Sequence, residues 1–130
     1  MRVLWIDDHP ENNQPYMEDL RQAGADVAVA TDYEEAERQL TPPGQVHFLI
    51  SDIARGQETE AGFADLRRLR DAGLYDGPAV FFTARVTPTR RRKAAELGAL
   101  DTATNWGELR ELLTQYWAQK AENVRAAKNA

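Results

Sequence analysis

Three short apolar runs in the chain each stop on a polar residue: Val3-Leu4-Trp5-Ile6 on Asp7-Asp8, Phe48-Leu49-Ile50 on Ser51-Asp52, and Ala79-Val80-Phe81-Phe82 on Thr83. An unbroken apolar run of this length is what a strand buried on both faces looks like, whereas a half-exposed strand alternates. Between the runs the spacing becomes helical. Tyr16, Met17, Leu20 and Ala23 share one face of a helix that Asn13 can cap, with Pro15 in the first turn and Gly24 at the stop. Val27 and Val29 alternate in a second strand, and Thr31-Asp32-Tyr33-Glu34 reads as a capping box for a helix ending before Pro42-Pro43-Gly44. A third strand is predicted over 46–51. Residues 55–60 follow as a charged loop with no apolar anchor, and then Phe63, Leu66 and Leu69 recur at helical spacing up to Gly73.

The second half repeats the scheme. A strand over 79–83 leads to Thr87-Pro88, a capping hydroxyl with proline at the first helical position, and that helix reaches Leu97-Gly98. Residues 100–104 form the fifth strand. Asn105 and Glu108 cap a last helix from Trp106, with Leu109, Leu112, Leu113, Tyr116 and Trp117 on one face, so that Trp5 and Trp117 both read as core. Five strands alternate with five helices. Each right-handed crossover needs a helix to return the chain, so the expected fold is α/β, a doubly wound parallel sheet of (βα)5 type covered on both faces.

Composition narrows the class without changing the fold. A chain of 130 residues, 42% hydrophobic and 28% charged, suits one globular domain, read as 1–118 with a helical extension or tail over 119–130. No stretch approaches the ~20 apolar residues of a membrane span, and no signal-peptide pattern opens the chain; a cytoplasmic protein is expected. The absence of cysteine removes disulfides and thiolate metal ligands, and a net charge of −5 argues against general nucleic-acid binding.

In an open α/β sheet the ligand site lies beyond the carboxyl ends of the strands. Asp7, Asp8, Asp52 and Thr83 would therefore meet at one edge. Carboxylates ~5 Å apart repel by about 3 kcal/mol per pair at an effective dielectric of ~20, so the cluster needs a proton or a cation. With oxygen ligands alone the ion expected is Mg²⁺ or Mn²⁺. A carboxylate beside such an ion can attack a phosphoryl group and become an aspartyl phosphate, with Thr83 positioned to hold one phosphoryl oxygen.

The order Asp7-Asp8, Asp52, Thr83-Ala84 and Gly98-Ala99 with Asp101, on a fivefold βα alternation, resembles the receiver domain of bacterial two-component response regulators over residues 1 to about 117. The resemblance implies sheet order 2-1-3-4-5, and phosphate received by Asp52 from a histidine kinase or a phosphotransfer protein. It also implies Mg²⁺ held by Asp7, Asp8, Asp52 and the backbone carbonyl of Ala54, and Thr83 moving to report the phosphoryl group. Such a protein is a signalling module and not a metabolic enzyme. The helix carrying Arg90, Arg91, Arg92 and Lys93 would belong to a surface for a downstream protein or a homodimer.

The sequence departs from the family at three places. Where the family has a lysine, seven residues past Gly98, stands Asn105, followed by Trp106 instead of proline; where a switch aromatic is usual stands Thr102; and the proline four residues past Asp52 is Gly56. Asn105 then reads as a helix cap or as a phosphate contact, Arg85 as a solvated loop residue or as the substitute cation, and His9 as a turn residue or as a ligand. The alternative function is a pseudo-receiver, a phosphorylation-independent protein-interaction module. A haloacid-dehalogenase-like phosphohydrolase fits less well, because its two acids are separated by one residue while Asp7 and Asp8 are adjacent.

Overall fold

The computed structural model describes the backbone of residues 1–129 and the side chains of residues 1–119. Five strands, β1 (Arg2–Ile6), β2 (Asp26–Ala30), β3 (Phe48–Ser51), β4 (Ala79–Phe82) and β5 (Asp101–Ala103), alternate with α1 (Gln14–Gln22), α2 (Tyr33–Gln39), α3 (Ala61–Asp71), α4 (Pro88–Glu96) and α5 (Trp106–Asn129). All strand pairs are parallel and the order is β2-β1-β3-β4-β5. This is the doubly wound sheet expected from the sequence, with the expected order.

Because side chains alternate along a strand, each strand feeds two cores. Val3, Trp5, Phe48, Ile50 and Val80 pack under α1 and α5 with Met17, Leu109 and Leu113. Leu4, Ile6, Leu49 and Phe81 pack under α2, α3 and α4 with Leu40, Phe63, Leu66 and Leu97. Each large side chain so buried stabilises the fold by roughly 1.5–3 kcal/mol, which makes the sheet a rigid base for its carboxyl edge.

The element boundaries correct several expectations. Strands β3, β4 and β5 are shorter than the predicted 46–51, 79–83 and 100–104, because pairing begins at Phe48 and closes at Phe82 and Ala103. Thr83 still donates its backbone N–H to the Ala103 carbonyl at 3.0 Å, just past the strand. The capping box of α2 is shifted by one residue: Asp32 is the cap, accepting from the Glu35 N–H, and the Glu35 carboxylate reaches back to the Thr31 N–H at 2.7 Å. Ala23 lies outside the buried face of α1, and Trp117, expected in the core, is 47% exposed. The predicted caps Thr87 and Asn105 accept from Arg90 and Glu108 as expected. Helix α5 continues through the segment read as an extension or tail, whose side chains from residue 120 lie outside the described residues.

Candidate functional site

The register aligns the strand ends. Ile6 pairs with Ser51 and Ser51 with Phe81, so the residues that follow, Asp7-Asp8, Asp52 and Phe82-Thr83, emerge side by side at the carboxyl edge. The backbone continues the pairing one step beyond the strands, with the Asp52 N–H on the Ile6 carbonyl at 3.0 Å and the Asp7 N–H on the Ala30 carbonyl at 2.9 Å. Strands β2 and β3 flank β1, so the chain leaves β1 on one side and returns on the other, which opens the crevice where α/β sheets bind ligands.

Each acid of the pair is held by a specific donor. Asp7, only 8% exposed, accepts from the His9 N–H at 2.9 Å and from Asn13 Nδ2 at 2.6 Å. Asn13 therefore does not cap α1 with its side chain, as its position had suggested; a 3₁₀ turn over Pro10–Asn13 turns it toward Asp7 instead. Asp8 Oδ2 accepts from the Gly56 N–H at 3.2 Å. Gly56 has φ of 60°, and the family's proline could supply neither that angle nor the N–H. His9 is exposed, with its ring 3.7 Å from Asp8 and 3.3 Å from Glu11, which is the turn-residue reading.

Asp52 has a partner that sequence reasoning missed. Arg55 Nη2 donates to Asp52 Oδ1 at 2.6 Å while Arg55 Nη1 donates to Asp65 Oδ2 from α3. The side chains of Asp52, Arg55 and Asp65 are 15%, 12% and 11% exposed, so the ionic triad lies largely out of water. The charged loop over 55–60, expected to have no apolar anchor, is held instead by the ion pairs of its first residue. Gly62, the second residue of α3, allows this closeness: a Cβ there would stand 1.9 Å from the Asp52 carbonyl oxygen. The signals that pointed this way were an arginine three residues past Asp52 and an acid, Asp65, beside the Phe63-Leu66-Leu69 face. Neither identifies a partner without the fold.

The other candidates fall around this centre. Thr83 is half-buried, and its Oγ1 accepts the Arg85 N–H at a long 3.5 Å. The Arg85 side chain is exposed and its carbonyl accepts from Arg90, so the arginine that meets Asp52 is Arg55 and not Arg85. Asn105 Oδ1 caps α5 by accepting the Glu108 N–H at 2.9 Å, and Thr102 is buried on β5. Ala54 lies exposed between buried Ile53 and Arg55. The basic run divides: Lys93 pairs with Glu60 at 2.6 Å, Arg91 with Asp101 at 3.4 Å, and Arg90 donates to the Thr59 carbonyl at 3.3 Å.

A divalent cation fits these donors. One carboxylate oxygen from each of Asp7, Asp8 and Asp52 lies within 4.8 Å of the others, and Asp52 Oδ2 is buried without a hydrogen-bond partner. Burial pushes the Asp52 carboxyl up to about 6, against the bonds from Arg55 and with the help of Asp7. Burial also works against the charge of Arg55, but its two carboxylate partners outweigh that and hold it firmly protonated. With Asp7 and Asp8 gathered beside Asp52, and the Arg55 guanidinium shared between Asp52 and Asp65, the centre has a negative excess that a hard, oxygen-seeking cation would relieve.

Known structures share this fold. A two-component response regulator from Clostridium difficile superposes with a TM-score of 0.79 at 18% identity, covering 92% of this chain and 98% of that one. The chemotaxis protein CheY4 of Vibrio cholerae gives 0.76 at 24% identity, over 88% and 96%. The response regulator TrrA of Thermotoga maritima, in complex with Mg²⁺-BeF, gives 0.69 at 23% identity over 88% and 96%. No curated protein matches the sequence. Among the described residues no helix is long and apolar enough to cross a membrane. The family model "Response regulator receiver domain" matches residues 3–116, nearly the whole sheet-and-helix alternation, and the chain belongs to that family.

Proposed function

We propose that this receiver domain takes a phosphoryl group onto Asp52 and acts as a phosphorylation-controlled signalling module, not a metabolic enzyme. The observation that carries the reading is the convergence of Asp7, Asp8 and Asp52, with Asp52 Oδ2 buried and unpartnered. The donor class is a phosphohistidine on a histidine kinase or phosphotransfer protein. An Asp52 oxygen attacks phosphorus, the P–N bond breaks, and its electron pair returns to the imidazole. Mg²⁺ or Mn²⁺, held by Asp7, Asp8, Asp52 and the Ala54 carbonyl, would screen the charge of the incoming phosphoryl oxygens. Asn13 and Gly56 orient the two acids of that set, and Thr83 is placed past β4 to donate to a phosphoryl oxygen. On α4 the most exposed cations are Arg91 and Arg92, so a downstream protein would read those more than Arg90 or Lys93.

The pseudo-receiver reading draws on a different observation: Asn105 is committed to a helix cap and Arg55 already neutralises Asp52. Intact-mass spectrometry after acetyl phosphate and Mg²⁺ separates the two. Gain of one phosphoryl group by the wild type and not by Asp52→Asn supports the phosphoacceptor. No gain by either supports the pseudo-receiver.

A further inference from the structure

We infer that Arg55 holds the phosphoryl group on Asp52 from the β3–α3 loop, supplying the positive charge that the family takes from the lysine replaced here by Asn105, with Asp65 as its anchor. The inference rests on Asp52 being the phosphoacceptor.

Three features of the triad support it. Distance comes first: Nη2 of Arg55 is already 2.6 Å from Asp52 Oδ1, in a direct charge-assisted bond. Next is the unused donor. Nε and Nη2 lie on the same edge of the guanidinium plane, and while Nη2 is on Asp52, Nε is buried with no partner. That edge presents two parallel N–H donors, the fork that matches two oxygens of a phosphoryl group, and the carboxylate uses only one of them. Last is the anchor. Nη1 is held by Asp65, a nearly buried acid on α3, so the guanidinium is positioned in advance and its stem is ordered before phosphate arrives. An arginine present only to neutralise Asp52 would not need that second contact.

Phosphorylation makes fuller use of the same edge. An Asp52 oxygen bonds to phosphorus, the bond from phosphorus to the leaving group breaks, and the leaving group departs with the electron pair. The carboxylate charge is replaced by charge on phosphoryl oxygens one bond further out. Nη2 and Nε then face two acceptors where Nη2 had one. Arg55 exchanges no proton, because its two carboxylate partners keep it charged throughout. Neither Asn105, whose acceptor caps α5, nor exposed Arg85 has a comparable approach to Asp52.

The test compares the wild type with Arg55→Gln, Arg55→Lys, Asp65→Asn and Asp52→Asn. It measures the phosphorylation rate by intact mass with acetyl phosphate and Mg²⁺, beryllofluoride affinity by fluorine NMR, and Mg²⁺ affinity by titration. Arg55→Gln is expected to lower both the rate and the beryllofluoride affinity by roughly 10²-fold, the usual loss for one preorganised charge-stabilising donor, with Mg²⁺ binding no weaker than in the wild type. Arg55→Lys restores part of the loss, as a point charge without the fork, and Asp65→Asn falls between. Arg55→Gln phosphorylated as fast as the wild type, or faster, overturns the inference alone if Asp52→Asn stays unmodified, since Arg55 is then a mask on a working acceptor. A wild type that gains no phosphoryl group and binds no beryllofluoride overturns the phosphoacceptor reading and the inference with it. Should Arg55→Gln fail to fold, Arg55→Lys decides, because a folded lysine variant with unchanged beryllofluoride affinity overturns the fork.

Discussion

Asp52 is expected to make the metal-free domain less stable as pH rises through the weakly acidic range, and a divalent cation should reverse that. The carboxyl ordinarily titrates near 3.8 and burial pushes it up to about 6 in the folded protein. A group whose folded value lies above its unfolded one contributes stability while it is protonated and loses that contribution as pH climbs through the folded value. At about 1.4 kcal/mol per unit, the rise removes roughly 3 kcal/mol between about pH 4 and pH 7. For a domain of this size that corresponds to roughly 10 °C in Tm. The quantity to measure is the difference between Asp52→Asn and the wild type by urea or thermal unfolding across that range, which isolates this carboxyl. That difference should grow in favour of Asp52→Asn by about 3 kcal/mol as pH rises, and saturating Mg²⁺, which binds the deprotonated acid, should restore the wild type above about pH 6. Mg²⁺ affinity itself should fall about tenfold per unit below about pH 6. A stability difference flat from pH 4 to 7, with pH-independent Mg²⁺ affinity, would refute the claim that burial outweighs Arg55 at this carboxyl.

Gly62→Ala should destabilise the domain by about 3 kcal/mol or more, because the new methyl meets the Asp52 carbonyl at 1.9 Å and backbone must move; thermal unfolding checks it. Asn13→Ala removes the 2.6 Å donor from buried Asp7 and should lower stability by about 1.5–3 kcal/mol and weaken Mg²⁺ binding, whereas loss of a cap alone would leave Mg²⁺ binding intact. Asn105→Ala should lower stability by about 1 kcal/mol and leave the phosphorylation rate unchanged; a large drop in rate would make Asn105 a phosphate contact after all.

The parts of the fold that were visible in the sequence are those carried by local chemistry. Apolar runs ending on Asp7, Asp52 and Thr83 specify parallel strands and their functional edge without any knowledge of neighbours, and Thr87 and Asn105 cap through contacts three residues away. What escaped depends on tertiary proximity. Asn13 has the composition of a cap and the geometry of a ligand orienter, because a 3₁₀ turn reorients it. Arg55 and Asp65 are ten residues apart across a loop and a helix start, and only the fold puts them on one guanidinium. Trp117 keeps helical register with Leu109 and Leu113, yet its ring is half in solvent, while Tyr116 beside it packs on Phe48 of β3.

The same triad bears on how a signal leaves the site. With Thr102 on β5 in place of an aromatic rotor, one route out is the basic helix α4, joined in sequence to Thr83 through residues 84–87. Its observed ties to the β3–α3 loop are Lys93 with Glu60, at 41% and 45% side-chain exposure, and Arg90 with the Thr59 carbonyl. An exposed ion pair is worth at most about 1 kcal/mol, which limits the shift it can impose on a two-state element to about fivefold. The link from Arg55 to Asp65 is nearly buried and runs directly into α3, whose Gly62 backbone already lies against that of Asp52. Separating such a pair is far more unfavourable than separating a surface one, so α3 must follow Arg55 more closely than α4 follows Glu60. Beryllofluoride should therefore perturb amides of residues 61–71 more strongly than those of 88–96 in NMR shift mapping, and Asp65→Asn should abolish the α3 response while sparing the response at Asp7 and Asp8. Large shifts across 88–96 with α3 silent would place the output on α4 and defeat the argument.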